Sequence, residues 1–108
     1  MIDILDTPPA LHKNARETEQ LSLEFILPKI KKMRLVVLES IAKATKGLTG
    51  SEIVDDVNGY IVSVRPRLTE LHAFQLIEPG DKRKNHRGMF ETVWSITSKG
   101  LQIVELSE

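Results

Sequence analysis

The spacing of apolar and polar residues divides the chain into helical and extended stretches. Ile30, Met33, Val37, Ile41 and Ala44 recur at three- and four-residue intervals up to Lys46-Gly47, where a glycine offers a left-handed stop; this predicts a first core helix. In LTGSEIVDDV, Thr49 and Glu52 have the spacing of a capping box and Ile53 and Val57 supply an apolar stripe, predicting a short second helix. Asn58-Gly59 breaks that helix, since both residues tolerate positive φ. A third helix is expected from Ser63, with Val64, Leu68 and Leu71 facing inward, Phe74 at the edge of that stripe, and Arg65, Thr69 and His72 on another flank. The period then changes. After a Pro-Gly turn signal and a basic loop, Phe90, Thr92, Trp94 and Ile96 alternate at period two, which predicts a hairpin with a charged tip. TSKGLQIVEL returns to helical spacing through Leu101, Val104 and Leu106, with Gly100 weakening its opening turn.

Charge is unevenly spread along this pattern. Residues 1–28 hold five acidic and two basic side chains, whereas KIKKMR, residues 29–34, packs four basic residues into six positions, so a boundary is expected near Pro28. Before it, Pro8-Pro9 can open a helix carrying Leu11, Ala15, Thr18, Leu21 and Phe25, an N-terminal arm or helix suited to dimerisation. Residues 29–108 form the expected globular domain. Over the whole chain, Lys plus Arg and Asp plus Glu are 15 each, so net charge names no class of partner and its distribution must do so. At 108 residues the chain suits one domain, and the absence of cysteine excludes disulfides and thiolate metal sites. No apolar run reaches the length of a membrane span and MIDILDTPPA lacks the form of a secretory signal, so a cytoplasmic protein is expected.

SVRPRLTEL places a proline inside a predicted helix with an arginine on each side. Interior proline removes a hydrogen bond and costs about 3 kcal/mol, so the residue constrains where the helix begins. With Ser63 as N-cap, Val64, Arg65 and Pro66 form the first turn, where a missing N–H costs little. Both arginines then stand at the electropositive end.

Three helices, the second and third joined by a tight turn and followed by a hairpin, form a winged helix-turn-helix pattern of the α+β class. GLTGSEI, SVRPRLTEL ending in QLI, and a glycine-bounded basic loop leading to TVWSITSKG resemble the winged-helix DNA-binding proteins of the MarR and PadR type; small phage-type regulators share similar SVRPR helices. The resemblance spans residues 35–106. It departs at Gln75, where such proteins usually end the recognition helix with glycine. The resemblance implies that the third helix enters the major groove of double-stranded DNA while the hairpin tip reaches a neighbouring groove or the backbone. The residues suit that chemistry. Ser63 can donate to phosphate at the helix start, Arg65 can present a two-donor fork to guanine O6 and N7, and Pro66 restricts the first turn and so pre-organises the adjacent arginine. Thr69 shares the Arg65 flank, and Arg67 is a candidate backbone contact. In DKRKNHRG, Lys82, Arg83, Lys84 and Arg87 with His86 crowd a loop bounded by Gly80 and Gly88, a cation density that a polyanion relieves.

Plainer readings stand beside these. Arg67 and Glu70 fit an exposed ion pair, KIKKMR fits a second phosphate contact or, the favoured reading, the polar face of the first helix, and Trp94 fits a core anchor under the wing beside Phe90 and Ile96 in preference to a base-stacking platform. Tyr60 fits a phosphate contact or a packed turn residue. His12, His72 and His86 are scattered, Asp55 and Asp56 point apart on a helix, and no nucleophile or phosphate-loop motif occurs, so neither metal, cofactor nor enzymatic activity is expected. The leading expectation is a sequence-specific DNA-binding transcriptional regulator, with a homodimer reading paired half-sites. The alternative is a winged-helix protein-interaction module, which neutral net charge favours slightly.

Overall fold

In this computed structural model, which describes residues 22–107, the Ser22 hydroxyl accepts the Phe25 N–H and opens a one-turn helix, α1 (Leu23–Ile26). The chain tightens into a 3-10 turn over Leu27–Lys29 before reaching α2 (Met33–Lys43). Ile26 and Ile30 are fully or almost fully buried and belong to the same core as Val37, Leu38 and Ile41 of α2, so the segment around Pro28 is packed into the domain. Leu11, Ala15, Thr18 and Leu21 of the anticipated arm lie outside the described residues.

α2 is shorter than its apolar spacing suggests. Ile30 buries itself from the preceding turn, and Ala44 already takes extended backbone, three residues before Gly47. The chain leaves the helix early because Leu48 must pair with Trp94, through hydrogen bonds of 2.9 and 2.7 Å. Gly47 accordingly serves that approach and does not cap the helix. It adopts φ +76°, and a Cβ there would stand 2.7 Å from the Trp94 carbonyl oxygen.

The capping box opens α3 (Gly50–Val57) as expected: the Thr49 hydroxyl accepts the Glu52 N–H and the Glu52 carboxylate accepts the Thr49 N–H. Asn58 ends it in left-handed backbone, while Gly59 has no positive φ. Ser40 on α2 donates to Asp56 on α3 at 2.6 Å, which ties the two helices.

α4 (Ile61–Ala73) begins earlier than Ser63. Its N-cap is Tyr60, whose extended backbone follows directly on the Asn58 turn and whose carbonyl accepts both the Ser63 and Val64 N–H groups. Ser63 therefore lies within the first turn and Pro66 within the helix, which corrects the expected start. The hydrogen bond that Pro66 removes is the one the Val62 carbonyl would accept. Val62 is 78% exposed and Pro66 is exposed too, so the freed carbonyl lies on the solvent side of the helix and the full interior cost does not arise. At the other end Gln75 adopts φ 64°, its N–H donates to His72, and the Leu76 N–H donates back to Leu71. This is a Schellman motif, closed by the buried pair Leu71 and Leu76, with glutamine where glycine is usual.

β1 (Ile77–Lys84) pairs antiparallel with β2 (Phe90–Ile96), from Ile77 opposite Ile96 to Lys84 opposite Phe90, with a bulge between Pro79 and Lys82. The Leu48 bridge adds a one-residue third strand. Lys82, Arg83 and Lys84 thus sit on a strand and not in the loop, whose tip is residues 85–89.

α5 (Ser98–Ser107) starts at Thr97, whose hydroxyl accepts the Gly100 N–H at 3.0 Å. Its buried face is Gly100, Ile103 and Val104, whereas Leu101 and Leu106, expected inside with Val104, are exposed. Gly100 decides this. A Cβ there would stand 2.3 Å from the Leu76 carbonyl oxygen, so α5 meets the domain at Gly100 and the residues three and four positions on turn inward with it.

Candidate nucleic-acid interface

α4 packs Val64, Leu68 and Leu71 against the core and leaves Val62, Arg65, Pro66, Thr69 and His72 exposed. Beside this exposed crest runs a groove of about 370 Å³ between helix and hairpin, lined by Arg65 and Thr69 of α4 and by Lys82, Phe90, Thr92 and Trp94 of the wing. Three residues singled out from the sequence, Arg65, Thr69 and Lys82, are thereby brought together. Trp94 is half-buried, its ring 5.3 Å from that of His72; with Ile96 it packs against the core as expected while one side lines the groove, whereas Phe90 is 62% exposed.

The strand pleat separates the basic residues of the wing. Lys82 and Lys84 stand opposite Thr92 and Phe90 on the groove side, with the Lys84 ammonium 5.4 Å from the Phe90 ring centroid. Arg83 points the other way, pairing with Glu52 at 2.6 Å and reaching the Lys46 carbonyl at 3.2 Å. Burial works against ionisation of Glu52, but the Thr49 backbone and the Arg83 guanidinium outweigh it and hold the carboxyl below the usual range. His86 and Arg87 are exposed on the tip, where the Asn85 side-chain oxygen accepts the Arg87 and Met89 N–H groups.

A residue that sequence reasoning missed fastens the wing. Glu91 accepts hydrogen bonds from the Ser51 N–H at 3.1 Å, the Ser51 hydroxyl at 2.5 Å and the Asn85 amide at 2.5 Å. Burial raises its pKa, yet Ser51 and Asn85, with the charge of Arg65 nearby, hold it below the usual carboxylate range. One carboxylate thus joins the wing tip to the first turn of α3. The only sequence signal for it is an acid in β2 opposite a strand of cations.

Arg67 lies about 200° around α4 from Arg65 and faces away from the groove. It donates to Glu70 at 2.6 and 3.0 Å, and Arg34 donates to the same carboxylate at 2.9 Å and to the Lys29 carbonyl at 2.9 Å. Burial again opposes ionisation of Glu70, but the two arginines prevail and lower its pKa. The ion pair weighed from the sequence therefore forms, with a second arginine in it. Ser63, half-buried in the first turn, makes no hydrogen bond with its hydroxyl among the described residues. Tyr60 is 77% exposed at the helix start and is not packed.

α3 and α4 are joined by a turn over residues 58–60, and α4 leads directly into an antiparallel hairpin that lies beside it. The fold is a winged helix-turn-helix. This chain is similar over 84% of its length to the crystal structure of the transcriptional regulator SlyA, at a TM-score of 0.59 and 11% identity, covering 61% of that chain. It is similar over the same share to the S. aureus MepR–DNA complex, at a TM-score of 0.57 and 18% identity, covering 73% of that chain. The chain thus spans about three fifths of the length of SlyA, and what it shares with both is the winged-helix fold. No family model and no curated protein matches the chain. Among the described residues, no group of three or more His, Cys, Asp or Glu is placed to hold a metal ion, and no helix is long and apolar enough to cross a membrane.

Proposed function

We propose that this winged helix-turn-helix is a sequence-specific double-stranded DNA-binding protein acting as a transcriptional regulator in the cytoplasm. The observation that carries the reading is the convergence of Arg65 and Thr69 with Lys82 along one groove, beside an exposed helical crest. α4 enters the major groove. Arg65 offers its fork to guanine, Thr69 meets a base edge or a thymine methyl, and Pro66 stiffens the turn between them. Lys82, Lys84, His86 and Arg87 anchor the wing to phosphates, while Arg83, paired with Glu52, holds the hairpin in place. Ser63 and Arg67 face the backbone on the opposite flank. The protein works as a homodimer on paired half-sites about one helical turn apart. A likeness to a transcriptional regulator and to a protein solved with DNA supports the same reading.

Fluorescence anisotropy against random duplexes at low and moderate salt, followed by unbiased selection of bound duplexes, tests it. Salt-sensitive binding and an enriched motif are expected. Arg65→Ala should lose about 1–3 kcal/mol of discrimination at one base position while leaving the rest of the motif intact. A wild-type protein that binds no duplex at low salt would instead be a protein-interaction module of the same fold.

A further inference from the structure

An α-helix with its side chains is about 10–12 Å across and the major groove about 12 Å wide, so a helix in the groove is bordered by a phosphate backbone on each side. The wing serves one border. On the opposite flank of α4 lies a cleft of about 480 Å³ lined by Pro28, Lys29, Lys31, Lys32, Met33, Arg34 and Arg67, which shares no residue with the groove beside the wing. We infer that this cationic cleft is a second phosphate-binding surface, gripping the DNA strand across the major groove from the strand beneath the wing. The inference rests on the DNA-binding reading above and adds a partner surface to it.

Charge is the first argument. Five cationic side chains line the cleft, and the Glu70 carboxylate pairs with two of them, Arg34 and Arg67. Among the described residues Lys29, Lys31 and Lys32 form no ion pair, and Lys31 and Lys32 are exposed. Cations held this close repel one another, and a polyanion removes that repulsion while releasing its own condensed counterions. Placement is the second argument. The three lysines are not the polar face of α2, as KIKKMR alone suggested, because that helix begins only at Met33. They are collected instead next to Arg67, on the recognition helix itself. Arg67 and Arg34 are fixed through Glu70, and Lys29 lies 4.5 Å over the Phe25 ring, so this part of the surface is rigid before any ligand arrives.

The test compares the full chain with the double variant Lys31→Gln, Lys32→Gln, both positions being exposed, on a selected duplex and a random one across a salt series. The slope of log affinity against log salt should become shallower by about 0.9 for each lysine neutralised, with both duplexes weakened by the same factor. Ethylation interference should show the double variant and Lys82→Gln losing contacts at phosphates on opposite strands. An unchanged melting temperature confirms that the loss is one of contact. Wild-type affinity and slope in the double variant, or interference lost at the same phosphates as in Lys82→Gln, overturns the inference while leaving the DNA-binding reading intact. Failure of the wild-type chain to bind any duplex overturns both.

Discussion

Gln75 spends conformational energy to end α4, and replacing it with glycine should release part of that energy. Its backbone sits at φ 64°, where an L-residue costs about 1–2 kcal/mol because Cβ crowds the following carbonyl. Glycine escapes the crowding but brings an unfolded-state entropy penalty of roughly 0.5–1 kcal/mol. The two Schellman hydrogen bonds use the backbone N–H groups of Gln75 and Leu76, which the substitution retains, and the carbonyl that accepts the Thr97 hydroxyl is retained as well. The side chain is exposed and makes no hydrogen bond among the described residues, so its removal forfeits little. The difference is a gain of about 0.5–1 kcal/mol, which in a domain this small raises Tm by roughly 2–8 °C. Thermal melts by circular dichroism, paired with urea titrations, measure it. Gln75→Val, β-branched and worse suited to positive φ, should lower Tm in the same assay. DNA affinity should not change, since Gln75 stands at the far end of α4 from Arg65. A lower Tm for Gln75→Gly than for wild type would refute the strain account of this cap.

Two further outcomes follow from the carboxylates that fasten the wing and α4. Glu91→Ala leaves the Ser51 N–H and the Asn85 amide without their acceptor, so stability should fall by about 1–2 kcal/mol and amide hydrogen exchange should accelerate selectively around residues 85–91; unchanged exchange there would refute the latch. Glu52, Glu70 and Glu91 all have pKa values lowered by folding. Such groups contribute stability that is complete above the unfolded carboxylate pKa of about 4.3 and is lost as pH falls through the lower folded value. The urea midpoint should therefore hold through neutral pH and drop below about pH 4.5, less steeply in Glu70→Gln, and a midpoint that rises on acidification would contradict the sign.

Short-range determinants were legible in the sequence. The Thr49 and Glu52 capping box, the left-handed Asn58, the inward stripe Val64, Leu68 and Leu71, and the separation of Arg65 from Arg67 all depend on partners or periods within a few residues, so composition and spacing reveal them. What the sequence could not reveal depends on distant backbone or distant charge. α4 starts at Ile61, after the N-cap Tyr60, because the preceding turn sets its backbone, with no side-chain cap to announce it. Gly47 and Gly100 are needed where Trp94 and Leu76 carbonyls pass close by, and that second approach turned Leu101 and Leu106 outward. Arg83 with Glu52, Glu91 with Ser51, and Arg34 with Glu70 are 31, 40 and 36 residues apart in the chain. Only packing brings such pairs within hydrogen-bonding distance. The local code thus determined which helices and strands form and which cationic side chains α4 and the wing carry. Tertiary packing decided which of those cations are tied to carboxylates and which remain to face the groove, because ion pairing depends on distances in space that sequence separation does not encode.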